Sequence, residues 1–212
     1  MIAWKNNNTL RPEKFTEEGL NSTSKPQKIV AKNKKHLKQL IDERLARFGV
    51  RCDLNDIDVS QITDMSDLFN GSAFKGDVSE WDVSNVRNMP GMFMHTGFNG
   101  DISQWDVSKV RDMSFMFYGT PFNGDISNWN VSKVRDMSSM FMYSEFNGDI
   151  SRWNVSNVRN MFLMFTDSPF SGDVSNWDVS KVEYMDKMFK GCPLEGNKPI
   201  WYREGARLVD GV

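Results

Sequence analysis

Apolar residues recur along the middle of the chain at one fixed interval. In FNGDISQWDVSKVRDMSFMF, Phe98 to Phe117, they are Phe98, Ile102, Trp105, Val107, Val110, Met113, Met116 and Phe117, with polar residues between. The stretch returns 24 residues later as FNGDISNWNVSKVRDMSSMF and again as FNGDISRWNVSNVRNMFLMF. Trp81, Trp105, Trp129, Trp153 and Trp177 form one column; Phe74 to Phe170, Met65 to Met185 and Phe69 to Phe189 form others at the same interval. A period held without insertion means that each unit superposes on the next, which predicts a repeat solenoid. Within a unit the spacing is mixed. Trp105 and Val107 alternate as an extended segment does, whereas Met113, Met116 and Phe117 are spaced like one face of a short helix. Phe122-Asn123-Gly124-Asp125 reads as a turn, because glycine tolerates unusual backbone angles and aspartate bonds a nearby N–H. Parallel pairing is expected around the Val-Arg-Asp-Met portion, followed by one or two helical turns.

One such unit buries too little apolar surface to offset the entropy of ordering its backbone, so stacking is what makes the array stable. Six coils at the strand spacing give a rod or arc roughly 30 Å long. Both ends need covers. Asn33 to Phe48 has a helical apolar stripe of Leu37, Leu40, Ile41, Leu45 and Phe48, with Gly49 as a stop. The first coil is degenerate, with Ile57 where the tryptophan belongs, and Pro193 to Trp201 keeps the spacing while losing the Asp and Val. The expected organisation is a basic N-terminal arm over 1–32, a capping helix over 33–52, a six-coil solenoid over 53–196 and a C-terminal cap over 197–212.

Charge adds an asymmetry. Residues 1–50 carry a net charge of +6 and the remainder −8. The two parts are suited to attract each other, or the basic arm to meet an acidic partner. Cys52 and Cys192 lie near opposite ends of the repeated region, beyond disulfide reach in a solenoid, and neither belongs to a zinc-type spacing. Free thiols fit a reducing compartment. The N-terminus has no apolar leader and no run approaches a bilayer span, so cytoplasm is the expected location, with the cell surface as the expectation for a chain whose leader has been removed.

Phe-Asn-Gly-Asp-Ile-Ser-x-Trp-Asp-Val-Ser-Lys-Val-Arg-Asp-Met-Ser-x-Met-Phe, together with the leading unit DLNDIDVSQITDMSDLF, resembles the repeat of the BspA-like family of bacterial leucine-rich-repeat surface proteins. The resemblance covers about residues 37–192. It implies a leucine-rich-repeat-like solenoid, with a short parallel strand plus a short helix per 24-residue coil and an N-terminal helical cap. It also implies a binding role, adhesin-like in some members, and brings no catalytic residues.

Candidate residues fall into three groups. Asp77, Asp101, Asp125, Asp149 and Asp173 follow glycine in each unit; stacked acids suggest calcium, but one carboxylate per coil falls short of six to eight oxygens, and a turn lock accounts for them better. Arg87, Arg111, Arg135 and Arg159 form a charged contact column suited to an acidic partner or phosphates. The competing reading, a ladder of Arg–Asp pairs with Asp112 and Asp136, is favoured because acidic residues surround the column, and nucleic-acid binding is correspondingly disfavoured. Last are residues that break the repeat: Met94, His95, Phe115, Tyr118, Met142, Tyr143, Phe162 and Leu163 stand where sister units carry residues such as Ser66, Asn70 and Ser138. Aromatic and methionine side chains exposed together mark protein contacts. His36 and His95 have no nucleophile or carboxylate constellation, and no phosphate loop, metal-ligand spacing or cofactor motif is present. The expected function is a non-enzymatic protein-binding module without cofactors or a membrane span. The alternative is an intracellular inhibitor or regulator that blocks a bacterial or phage enzyme.

Overall fold

The computed structural model describes residues 27–205. The residue preceding each column methionine forms a parallel bridge with its counterpart 24 residues on. The series runs Asp64 to Asn88, Asn88 to Asp112, Asp112 to Asp136, Asp136 to Asn160 and Asn160 to Tyr184. Flanking residues bond in opposite directions along the stack: Arg111 N donates to the Arg87 carbonyl at 2.8 Å, and Met113 N to the Asp136 carbonyl at 3.0 Å. Each unit is therefore a layer tied to both neighbours by its backbone.

Corners, not helices, bend each layer. Ile102, Val107 and Met113 accept from the N–H of Trp105, Val110 and Met116, closing four-residue turns at 3.2, 2.9 and 3.2 Å. Both ends of each turn are inward apolar residues. Each corner is locked by an aspartate placed one residue earlier, whose Oδ1 accepts from a serine N–H two residues on: Asp101 to Ser103 at 2.9 Å, Asp106 to Ser108 at 3.0 Å and Asp112 to Ser114 at 2.9 Å. This is why this unit spells DIS, DVS and DMS, and why its sister units keep Asp or Asn before most of the same corners.

The helix expected at Met113–Phe117 is absent. Phe115, Phe117 and Gly119 donate their N–H groups to Ser138, Met140 and Met142 in the next layer instead of to their own turn. The intervening residues close further turns, with Tyr118 N on the Phe115 carbonyl at 3.1 Å. A spacing of three suits both geometries; the neighbouring layer's open carbonyls decide between them.

Rings fill the interior. Phe93, Phe117, Phe141, Phe165 and Phe189 stack layer on layer with centroids 5.7–6.0 Å apart, and Phe98, Phe122, Phe146 and Phe170 stack beside them at 6.2 Å. Gly100 is required by this packing, since a Cβ there would lie 2.8 Å from the Phe98 ring. Tryptophan closes the layer edge. Each indole N–H donates to a carbonyl of the preceding layer, as Trp129 does to Ile102 at 3.1 Å, so a large ring is buried without stranding its donor.

The first helix, α1 (Lys34–Phe48), starts at Asn33, whose side chain accepts from His36 N, and stops at Gly49, where φ is 82°. Leu37, Leu40 and Ile41 are buried and Leu45 packs against the core, but Phe48 points outward and is 58% exposed, a departure from the expected stripe. Strand β1 (Ile29–Val30) pairs in parallel with β2 (Ile57–Asp58), so the last residues assigned to the basic arm form part of the cap, with Ala31 fully buried. Arm residues 1–26 lie outside the described residues, as do 206–212. At the other end Trp201 continues the tryptophan column, donating to the Val174 carbonyl at 2.9 Å and stacking on Trp177. Cys52 and Cys192 are free and buried, and burial pushes both thiols up.

Candidate functional site

Two positions in every layer have left-handed backbone. One runs Asp67, Gly91, Phe115, Ser139, Leu163 and Lys187; the other runs Gly71, His95, Gly119, Tyr143, Asp167 and Gly191. Glycine is the low-cost residue there, and a side chain costs about 1–2 kcal/mol. His95, Phe115, Tyr143 and Leu163, all with φ of 55–58°, are four of the eight residues that break the repeat. Their neighbours Met94, Tyr118, Met142 and Phe162 are the other four.

All eight reach the surface: His95, Phe115, Tyr143 and Phe162 are exposed, and Met94, Tyr118, Met142 and Leu163 are half-buried. Tyr118 joins three of them. Its ring meets His95 edge-on at 4.8 Å, Phe115 at 6.0 Å and Tyr143 edge-on at 5.8 Å. Gly119 makes room, because a Cβ there would lie 2.7 Å from the His95 ring nitrogen. Asp167, one layer beyond Tyr143 in the same column, holds the Tyr143 phenol above its usual pKa through its negative charge. The result is an aromatic strip across successive layers, rimmed by a carboxylate.

The arginine column behaves differently from the favoured expectation. Asp112 and Asp136 do not pair with Arg111 and Arg135: their Oδ1 atoms accept from Ser114 and Ser138, through backbone N at 2.9 and 2.8 Å and through Oγ at 2.7 and 2.6 Å. Among the described residues the column's one ion pair is Arg159 with Glu183, at 2.7 Å. Arg111, Arg135 and Arg159 instead line a groove of about 290 Å³ with Lys133, Lys181 and Asn157. The lysines were missed by sequence reasoning, although Asn85, Lys109, Lys133, Asn157 and Lys181 form a column at the same interval.

The glycine-linked aspartates serve as turn locks. Asp125, Asp149 and Asp173 accept from Ser127, Ser151 and Ser175 N–H at 2.9, 2.9 and 2.8 Å, and these bonds hold all three carboxyls below the usual range. Among the described residues no cluster of three metal-ligating side chains is present, and no helix is long and apolar enough to cross a membrane.

The chain thus joins layers with a recurring apolar interior to an aromatic strip that varies from layer to layer. It belongs to the family described as Mycoplasma protein of unknown function, DUF285, whose model matches residues 36–145 and 120–201. Searches of curated proteins and of solved structures found no match to the chain.

Proposed function

We propose that the chain is a non-enzymatic protein-binding module: a leucine-rich-repeat-like solenoid of the BspA-like kind whose aromatic strip contacts another protein. One observation carries this reading. At left-handed positions where sister layers use Gly91 and Gly119, the chain places Phe115 and Tyr143, which are 40% and 51% exposed. A bulky side chain there strains the backbone and fills no interior space, so its use lies outside the fold. Exposed aromatic and methionine side chains on a rigid support suit a protein contact, because little ordering entropy is lost on binding.

Sister layers supply neutral replacements for a test. Phe115→Gly, Tyr143→Gly and Phe162→Ser copy Gly91, Gly119 and Ser138. Affinity capture from cells of the native organism should recover a reproducible partner with the wild-type chain, and the triple variant should lose it. Recovery of the same partner by the variant would refute the strip as the contact. Protease treatment of intact cells separates a surface module, which is cut, from one held inside.

A further inference from the structure

We propose that the groove lined by Arg111, Lys133, Arg135, Asn157, Arg159 and Lys181 docks an extended acidic segment of a partner protein. This is a site separate from the aromatic strip and does not depend on it.

Among the described residues one acid forms an ion pair with this lining, Glu183 on Arg159, and the rest of its positive charge has no ion-pair partner. Arg87, Arg111, Arg135 and Arg159 are hydrogen-bonded neighbours, each donating its N–H to the preceding arginine or to Thr63 at 2.8 Å. That spacing is about 4.8 Å, at which like charges repel. The nearest acids in sequence, Asp112 and Asp136, are committed to their own serine turns. Of the groove's lysines, Lys181 is held by a neutral group, its Nζ donating to Asn157 Oδ1 at 2.8 Å, so its head is positioned while its charge is kept; Lys109, earlier in the same column, is held in the same way by Asn85 Oδ1. Asp106 and Asp178 lie on the flank and feel Lys109, Lys133 and Lys181.

The chain itself shows what this column accepts. Glu183 occupies the next place after Arg159, its N–H bonded to the Arg159 carbonyl at 2.7 Å, and its carboxylate takes the Arg159 guanidinium at 2.7 Å. A carboxylate at layer spacing is thus a satisfactory partner, and Arg111 and Arg135 hold the same place in their own layers without an ion-pair partner among the described residues. The flanking Asp106 and Asp178 narrow the positive strip, which suits a single extended chain running along the stack and opposes a broad polyanion.

The test uses fluorescence anisotropy with a labelled deca-glutamate peptide at physiological ionic strength, against a single-stranded oligothymidylate and inorganic polyphosphate. The wild-type protein should bind the peptide in preference to both. Arg111→Gln/Arg135→Gln should weaken binding by at least about tenfold, since each removes a charge-assisted bond. Lys75→Gln/Arg152→Gln removes the same charge elsewhere and should keep wild-type affinity. Glu183→Gln should tighten binding by releasing Arg159, a gain that damage to the fold cannot imitate. The triple variant of the aromatic strip should bind the peptide normally. No peptide binding, equal loss in both charge variants, or preferred binding of the oligonucleotide or polyphosphate would overturn the assignment.

Discussion

Phe115 and Phe117 stand two residues apart and live in different regimes. Phe117 is fully buried, 5.9 Å from Phe93 and 5.7 Å from Phe141 in a continuous ring stack. Phe115 is 40% exposed and bent into a left-handed conformation. The first belongs to a column that never varies, from Phe69 to Phe189; the second shares its column with aspartate, glycine, serine, leucine and lysine. Where a residue touches the layers above and below, the neighbours constrain it to one shape. Where it touches only solvent and its own rim, the backbone geometry repeats and the side chain is free to differ.

The largest effect should come from opening the ring stack. Phe117→Ala leaves a cavity bordered by Phe93, Phe122 and Phe141, all of them held by their own layers and unable to collapse inward. A loss of about 3–5 kcal/mol is expected from thermal or urea unfolding. A loss below about 1 kcal/mol would mean that the layers slide to fill the gap, and the contrast with Phe115 would lose its basis.

Trp129→Phe should cost less, about 1–3 kcal/mol. The indole donates to the Ile102 carbonyl at 3.1 Å, but that oxygen also accepts from Trp105 N at 3.2 Å, so it keeps a partner when the indole is gone. The cost is then lost ring volume and one bond, and no carbonyl is left bare. Urea denaturation reads the difference; a cost equal to that of Phe117→Ala would show that the tryptophan edge, not the phenylalanine stack, holds the layers.

These two positions also mark what was legible in the chain beforehand. The inward columns were, because residues contacting both neighbouring layers repeat in apolar character, and the phenylalanines in identity, and repetition is visible without coordinates. The local backbone was not. Met113 and Met116, three apart, fit a helix as well as a turn, and the choice rests on Phe115 and Phe117 giving their N–H groups to Ser138 and Met140 one layer away. The arginine column misled for a related reason: Arg111 and Asp112 are adjacent in sequence, but the carboxylate is drawn back to Ser114. The strip residues were readable as exceptions to the repeat; their left-handed backbone was not, since only the sister glycines hinted at it.

Acid should act through the turn locks. Asp125, Asp149 and Asp173 have folded-state pKa values below the unfolded value of about 3.9. The unfolded chain therefore takes up protons first, and the stability these groups contribute, complete above about pH 4, is lost as pH falls through the folded values. Asn130 and Asn154 already fill equivalent corners, accepting from Ser132 and Ser156 at 3.2 and 3.1 Å. Asp125→Asn/Asp149→Asn/Asp173→Asn keeps the turn bonds without their charge, so it should melt somewhat below wild type at neutral pH and show a shallower decline below pH 4, the two curves converging in acid. An unchanged acid limb would move the pH sensitivity to other carboxylates.

The smallest effect on stability is expected from the strip itself, through two opposed terms. Phe115→Gly and Tyr143→Gly relieve left-handed strain of about 1–2 kcal/mol each. Against this, they give up the Tyr118 contacts at 6.0 and 5.8 Å, worth about 0.5–1.5 kcal/mol each, and raise the entropy of the unfolded chain. Phe162→Ser removes a ring that is 38% exposed and restores the serine found at Ser66, Ser114 and Ser138. The triple variant should therefore unfold within about 1 kcal/mol of wild type, measured by urea denaturation alongside Phe117→Ala. A loss as large as that of Phe117→Ala would make the strip part of the core, and the strain at Phe115 and Tyr143 would then be explained by packing, leaving no reason to look for a partner there.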